Sequence, residues 1–249
     1  MLFVLFFGKL GPMANTDEKI EKMFKAGIHF GYSRSSRYPK MKDFLFGLKN
    51  NVEIFDLEKT NEMLDRAKEF MFVLGKEKKQ FILVGTKTET KGIMEKFAKE
   101  ANMPYVIERW LGGTLTNFKA IRGRISHMKD LEQKKDKKEL EKYTKKEQIE
   151  IERKIIRLKN YLGGLVDMEN LPSAILVVDS KKEKNAVKEA NDMKVPVVAV
   201  INTDCDPKTA DYPIPANDNS KTSVEFLLNE LIGAYKEGVK EYKEKEIEK

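Results

Sequence analysis

Short apolar runs alternate with amphipathic stretches along most of the chain. Four runs have the length and β-branched content of buried strands: Phe81–Val84, Pro104–Ile107, Ala174–Asp179 and Val195–Ile201. A shorter fifth run lies near Tyr212. Between these runs, apolar residues recur at spacings of three and four, which predicts helices. Strands that alternate with helices predict an α/β fold, a three-layer sandwich in which helices cover both faces of a mostly parallel sheet.

The region before the first of these strands has a different pattern. Residues 28–41, IHFGYSRSSRYPKM, are rich in Gly, Ser, Arg and aromatic residues and predict an extended loop. Two apolar runs, Phe44–Leu48 and Val52–Phe55, flank a polar Lys-Asn-Asn turn and predict a β-hairpin. Asp56 then has the position of an N-cap, so a helix is expected to begin directly after it.

Three pairs of residues have the spacing of a capping box, in which Ser or Thr is followed three residues later by Glu. The pairs are Thr86 with Glu89, Thr144 with Glu147, and Ser180 with Glu183. Each pair predicts that a helix begins at its first residue.

The sheet pattern is interrupted between Asn117 and Tyr161, where no strand candidate occurs. Two apolar stripes at helical spacing replace it: Ile121, Ile125, Met128 and Leu131, then Ile151, Ile155, Leu158 and Leu162. They predict a protruding coiled-coil hairpin of two helices with a Lys-rich tip at residues 134–138. Trp110 is predicted to anchor the hairpin root as a buried ring. Paired glycines are expected to allow sharp chain reversals at both roots: Gly112, Gly113, Gly163 and Gly164.

These patterns divide the chain into four parts. Residues 17–116 and 162–235 are predicted to form the sheet domain, and residues 117–161 form the hairpin inserted into it. Residues 236–249 are interpreted as a charged tail. Residues 1–16 are interpreted as an N-terminal extension, which is either disordered or the result of a start assigned upstream of Met13.

Positive charge is concentrated in two segments of the chain. The net charge is +7, and residues 119–159 contain 15 Lys and Arg against 8 Asp and Glu, while residues 29–50 contain five against one. The remaining residues therefore carry a net negative charge. This asymmetry predicts a localised contact with a polyanion.

The sequence is poor in the patterns that carry catalysis. The single cysteine, Cys205, excludes an intrachain disulfide, and no apolar run approaches the roughly 20 residues needed to cross a bilayer. There is no P-loop, no GxGxxG, no GxSxG and no histidine metal motif. Asp204 and Asp206 stand before a proline, which is more typical of a turn than of a magnesium site. We therefore expect no enzymatic activity, no cofactor and no metal.

Both basic segments contain the residue types that bind nucleic acid. Arg matches phosphate oxygens with a planar fork, hydroxyl groups donate hydrogen bonds, and Tyr stacks on unpaired bases. The predicted RNA-binding residues are Arg34, Arg37, Tyr38, Lys40 and Lys42 in the loop, and Arg109, Asn117, Lys119, Arg122 and Arg124 at the hairpin root.

From about Ala26 to Gly233, the chain resembles the bacterial-type small-subunit ribosomal protein S2 family. The resemblance rests on segments in the family's order: AGIHFGY, YPKM, FLFGLKNNVEIFDLEKT, ILVGTKTE, RWLGGTLTNF, LGGLVDMENLPSAILVVD, EKNAVKEANDMKVPVVAVINTDCDP and DYPIPANDNS. Tyr32 stands where the family usually has a second histidine.

The resemblance implies a flavodoxin-like sheet domain with an inserted coiled-coil hairpin. It also implies a structural, non-enzymatic role in the small ribosomal subunit, in support of translation. The implied partners are small-subunit rRNA, neighbouring small-subunit ribosomal proteins and the large mRNA-binding ribosomal protein S1. The implied location is the ribosome in the cytoplasm, with no membrane partner.

The residues alone leave two other functions open. Gly85–Lys87 follows a strand and opens a predicted helix, the position at which an α/β nucleotide-binding enzyme holds phosphate. A hairpin that contacts only protein would instead make the chain a protein-binding adaptor.

Overall fold

The central element is a five-stranded sheet in which every neighbouring pair of strands is parallel. The computed structural model describes residues 14–247, so residues 1–13 of the interpreted extension and residues 248–249 lie outside it. The five strands are β4 (Phe81–Val84), β5 (Tyr105–Val106), β6 (Ala174–Val178), β7 (Val197–Ile201) and β8 (Tyr212–Pro215). Their order, β5-β4-β6-β7-β8, is the flavodoxin-like order 2-1-3-4-5.

Helices cover both faces of this sheet, which explains why its strands are apolar at consecutive positions. Phe81 and Leu83 pack into the apolar cluster on one face, whereas Ile82 and Val84 pack into the cluster on the other. The first face is covered by three helices: α2 (Leu57–Lys76), α3 (Lys91–Ala101) and α7 (Lys221–Ile247). The second face is covered by α6 (Lys184–Asp192) and the base of α4 (Phe118–Asp136). The predicted three-layer α/β fold is confirmed.

A second, smaller sheet lies before the first parallel strand. It has the antiparallel order β1-β3-β2, formed by β1 (Phe30–Ser33), β2 (Leu45–Lys49) and β3 (Val52–Phe55). The hairpin of β2 and β3 is the predicted one. The extended loop predicted for residues 28–41 is wrong in part, because its first residues pair with β3 and its remainder forms short 3-10 turns at Arg34–Ser36 and Pro39–Phe44.

Two of the predicted capping boxes are wrong. Helix α3 begins at Lys91, well after Thr86, and α6 begins at Lys184, after Glu183. Tertiary contacts replace the local pattern, because Thr86 donates its hydroxyl hydrogen bond to the Glu183 carboxylate across the sheet edge. The box at Thr144 is present with both of its hydrogen bonds, and Asp56 caps α2 as predicted.

Both terminal segments of the chain contain helix in the part that the structure describes. Helix α1 (Ala14–Lys25) begins inside the segment interpreted as an extension. Residues 236–247, interpreted as a charged tail, continue helix α7. No helix in the described residues 14–247 is long and apolar enough to cross a membrane.

Between β5 and β6 the chain forms α4 and α5 (Lys145–Leu162), joined by a short 3-10 turn at Glu139–Lys142. The two helices contact each other through the ion pairs Lys135–Glu152 at 2.8 Å and Glu132–Lys159 at 3.4 Å. Ile121, Ile125 and Met128 of α4 are buried, whereas the residues between them are exposed. Helix α4 is therefore apolar on the side that faces the sheet and its partner helix, and polar on the other side.

Candidate nucleic-acid interface

The carboxyl end of β4 lies beside β6 at the switch point of the sheet, where proteins of this topology bind nucleotides. Lys87 follows β4 there, and its ammonium group lies 2.9 Å from the Asp179 carboxylate and 2.7 Å from the Asp218 carboxylate. Burial alone would lower the pKa of Lys87, but the two carboxylates outweigh this effect and raise its pKa. The cation that a phosphate would need is therefore already neutralised inside the fold.

The backbone at the same position is also engaged. The amide of Thr86 donates to the Glu183 carboxylate at 3.1 Å, and burial raises the pKa of Glu183. At the same edge of the sheet, the Asp179 side chain accepts a hydrogen bond from the Lys182 amide at 2.9 Å. The switch point is filled by the chain's own side chains, which removes the observation that favoured a nucleotide-binding enzyme.

The basic loop at residues 34–42 is held on this filled edge. The Tyr38 amide donates to the backbone oxygen of Thr203 at 2.7 Å, and the Tyr38 hydroxyl donates to Asp206 at 2.7 Å. Arg37 pairs with the buried carboxylate of Glu53 at 3.1 Å. Arg37 and Tyr38, predicted to contact RNA, thus have partners within the chain and fix the loop in place.

The other cations of the loop point outward. Arg34 and Lys42 are exposed, and their side chains have no partner among the residues that the structure describes. Lys40 is exposed and lies 3.3 Å from Asp206, a surface pair that contributes little. Asp206 also accepts the amide of Lys208, so it caps a turn, as the sequence pattern indicates.

The first root of the hairpin is organised around the carboxylate of Glu189 in α6. One of its oxygens accepts hydrogen bonds from the Trp110 indole at 3.0 Å and the Gly113 amide at 2.8 Å. The other accepts the Leu115 amide at 3.0 Å and also contacts Thr116. Burial by itself would raise the pKa of Glu189, but these hydrogen bonds prevail and lower its pKa. Trp110 is 5% exposed, in agreement with the prediction of a buried anchor.

Only two of the four root glycines have a steric reason to be glycine. Gly113 has a φ of +93°, a conformation that other residues rarely adopt. At Gly164 an added Cβ would collide with the backbone oxygen of Tyr105, so α5 approaches β5 closely there. Gly112 has open space around it, and Gly163 has ordinary helical angles, so neither has a steric requirement for glycine. That the four glycines allow the chain reversals stays a prediction.

The predicted RNA-binding residues near the start of α4 fall into the same two groups as those of the loop. Some have partners within the chain, and the others are exposed without a side-chain partner among the described residues. Asn117 caps α4, accepting the Ala120 amide at 3.4 Å, and Arg122 donates to the backbone oxygen of Met168 at 2.9 Å. Arg109, Lys119 and Arg124 are exposed and have no side-chain partner within residues 14–247.

The structure brings the two basic segments to one face of the sheet. Met41, within the loop, belongs to the same apolar cluster as Ile121 and Ile125 of α4, and this cluster lies on the second face of the sheet. Sequence reasoning predicted two separate basic segments but could not show that they share a face.

Comparison with known proteins identifies relatives along nearly the whole chain. Residues 23–238 match the family model described as Ribosomal protein S2. The small ribosomal subunit protein uS2c of Mesostigma viride is 42% identical over 219 residues, covering 88% of this chain and 96% of the relative. The uS2 proteins of Nitratiruptor sp. and Dictyoglomus thermophilum are 40% and 39% identical, each over 92% of this chain and over 85% and 93% of their own lengths.

The chain belongs to the Ribosomal protein S2 family. The family consists of structural, non-enzymatic proteins of the ribosome, which confirms the predicted family and the prediction that the chain is not an enzyme. The flavodoxin-like sheet agrees with this membership. The nucleotide-binding alternative is not favoured, because the relatives are ribosomal proteins and the chain's own side chains fill the switch point.

The sequence does not predict the contacts of Lys87 and Glu189 that hold this part of the fold together. The pattern around Lys87 indicates only a phosphate position, and Glu189 stands out only as part of a segment that resembles the family. The sequence gives no signal for the role of Glu189, because the groups that donate hydrogen bonds to its carboxylate lie more than 70 positions away in the chain. Only the family's ordered segments pointed to that region.

Proposed function

We propose that the chain is a structural constituent of the small ribosomal subunit that binds the subunit's rRNA and thereby supports translation. The observation that carries this proposal is a set of exposed cations on one face of the sheet, of which only Lys40 has an ion-pair partner among the described residues. They lie on the 34–42 loop and around the start of α4, beside the same apolar cluster. Membership in the Ribosomal protein S2 family supports the identity of the polyanion.

The predicted RNA-binding residues take two roles in this proposal. Six of them contact phosphates, because their charged groups are exposed: Arg34, Lys40, Lys42, Arg109, Lys119 and Arg124. The other four hold these cations in position through contacts inside the chain: Arg37, Tyr38, Asn117 and Arg122. Phosphate contacts place a protein on RNA without reading its sequence. The fold of the rRNA, rather than a base sequence, would then select the binding site.

Neutralisation of phosphates releases counterions from the RNA, so binding should weaken steeply as salt rises. The filled switch point has no part in this contact. Its buried Lys87 pairs with Asp218, and Asp218 accepts a hydrogen bond from Asn202, the neighbour of the Thr203 that holds Tyr38.

Sedimentation of the tagged chain through a sucrose gradient tests the proposal. The chain should travel with particles of small-subunit size at low salt and leave them at high salt. Calorimetry of the free chain with ATP and GTP serves as the opposing measurement. Specific nucleotide binding together with absence from the particles would overturn the proposal, and attachment that salt does not weaken would favour an adaptor that binds only protein.

We further propose that neighbouring small-subunit proteins and the large mRNA-binding protein S1 contact the chain. Exposed phenylalanines on α1 and on the small antiparallel sheet support a protein contact there: Phe24, Phe30 and Phe46. Phe24 stacks on His29 with ring centroids 4.3 Å apart. The ring centroids of His29 and Phe30 are 4.0 Å apart. Phe46, on the same sheet, is 83% exposed. Exposed aromatic rings of this kind mark protein contacts more often than RNA backbone contacts. Pull-down of purified S1 by the chain, with and without Phe46→Ser, tests this contact.

We also propose a cytoplasmic location on the ribosome. The single cysteine, Cys205, is buried and unpaired, as expected for a protein of a reducing compartment. Fluorescence microscopy of a tagged chain in its native host, scored against a ribosome marker, tests the location.

A further inference from the structure

The outer face of helix α5 differs in chemistry from the exposed face of α4. Ile149 and Ile156 are 50% and 59% exposed, and they lie two helical turns apart on one side of α5. Helix α4 has no exposed large apolar residue among those the structure describes. A face that binds only phosphates has no use for exposed isoleucines, because their burial is favourable only against another apolar surface.

Two arginines flank these isoleucines. Arg153 lies between Ile149 and Ile156 along the same side, and Arg157 follows Ile156 directly. Neither guanidinium has a carboxylate partner among the described side chains, although other ion pairs join α5 to α4. This face of α5 therefore combines an apolar centre with two exposed arginines that form no ion pair with a described side chain.

A cavity of about 250 Å³ lies at the base of this face. Its lining comes from α5 and from the segment after β5: Arg153, Ile156, Arg157, Asn160, Tyr161 and Glu108. Glu108 is itself paired with Lys91 at 2.7 Å, so it leaves the two arginines free for an outside partner. The volume suits one large apolar side chain.

We propose that this face of α5, formed by Ile149, Arg153, Ile156, Arg157 and Asn160, is a docking surface for an acidic protein segment. The segment places one apolar side chain in the cavity and its carboxylates on the two arginines. Apolar centres with a charged rim and exposed arginines are typical of protein interfaces. The two helices of the hairpin then divide their partners, with RNA on α4 and protein on α5. This assignment rests on the proposed ribosomal function.

Site-specific photo-crosslinking in assembled particles tests the proposal. Position 156 is replaced by p-benzoylphenylalanine, the chain is incorporated into small subunits, and the particles are purified on a gradient before irradiation. We expect an adduct of the chain with a second protein that survives RNase and disappears with protease. Position 193, where Met193 is exposed on another helix end, is the control for random crosslinking.

Charge reversal tests the acidic character of the partner. Arg153→Glu with Arg157→Glu should lower the adduct yield about tenfold, because two close ion pairs are replaced by repulsion. Arg66→Glu with Lys96→Glu makes the same change of charge on α2 and α3 and should leave the yield unchanged.

The outcomes separate this inference from the proposed function. An RNase-sensitive adduct means that α5 contacts RNA and overturns the docking surface while the ribosomal function stands. The docking surface is also overturned, and the ribosomal function again stands, if the chain enters the particles but the adduct at position 156 is no stronger than that of the position 193 control. Absence of the unmodified chain from the particles overturns both.

Discussion

The Trp110 indole donates a hydrogen bond to the Glu189 carboxylate over 3.0 Å, and this contact ties the root of the helical insertion to helix α6. The same carboxylate accepts the backbone amides of Gly113 and Leu115. A single side chain therefore sets the direction in which the chain leaves the sheet toward α4. The position of the cations on α4 depends on it.

Replacement of Glu189 by Gln should destabilise this root. The change keeps the size of the side chain but turns one accepting oxygen into an amide group that faces N–H donors. We expect the free energy of unfolding to fall by about 2–3 kcal/mol, measured by urea denaturation. Glu225→Gln removes a surface ion pair with Lys96 and should change it by less than about 1 kcal/mol. Equal losses in the two variants would contradict the role of Glu189.

The same carboxylate should give a pH dependence of known sign. The pKa of Glu189 is lowered in the folded chain, so the folded state binds fewer protons than the unfolded state in the acidic range. Its stabilising contribution is present above the unfolded pKa and is lost as pH falls through the folded pKa. The stability difference between the wild type and Glu189→Gln should therefore shrink as pH falls below about 4.3, the pKa of an unfolded glutamate. A difference that stays constant in a pH series of urea titrations would refute this account.

The two neighbouring glycines of the root should respond differently to alanine. Gly113→Ala forces a side chain into a φ of +93° and should lower the free energy of unfolding by about 1–3 kcal/mol. Gly112→Ala meets open space and should change it by no more than about 0.5 kcal/mol. Thermal unfolding of both variants measures the contrast, and similar melting temperatures would speak against the strained turn.

Lys87 should act on stability rather than on nucleotide binding. Lys87→Met leaves Asp179 and Asp218 without their cation, which should lower the free energy of unfolding by about 3–5 kcal/mol. Lys91→Met, which breaks an exposed pair with Glu108, is the matched control and should cost less than about 1 kcal/mol. ATP should not raise the melting temperature of the wild type, and a clear rise would reopen the nucleotide-binding alternative.

Cys205 should be chemically inert in the folded chain. Burial raises the pKa of its thiol to about 11, and the residue is 1% exposed, so little thiolate forms near neutral pH. Reaction with Ellman's reagent at pH 8 should be slow in buffer and fast in urea, with one thiol per chain. Fast reaction of the native chain would show that the edge of the sheet near Asp204 and Asp206 opens to solvent.

The strands were predictable because their signal is local. Phe81–Val84 and Val197–Ile201 are apolar at every position, and only a sheet covered on both faces explains such runs. The capping box at Thr144 was predictable for the same reason, since both of its residues lie within one helical turn.

The site could be predicted only as a set of cations. Arg37 and Arg34 are equivalent in the sequence, yet one pairs with Glu53 and the other is exposed. Thr86 has the local pattern of a cap, but its hydroxyl binds Glu183, which is 97 positions away in sequence. Contacts at such separations depend on the packing of the sheet edge, and no spacing rule describes them. The sequence therefore shows which residues carry charge, and the fold decides which charges remain available.

The central claim is that exposed cations of the loop and of α4 neutralise RNA phosphates. The most direct test is the slope of log affinity against log salt for binding to small-subunit rRNA. Lys119→Ala with Arg124→Ala should reduce the slope by about 1.5, since each lost contact removes about 0.7–0.9. Arg66→Ala with Lys96→Ala removes the same charge from α2 and α3, which lie on the opposite face, and should leave the slope unchanged. Equal slopes for all three proteins would contradict the claim.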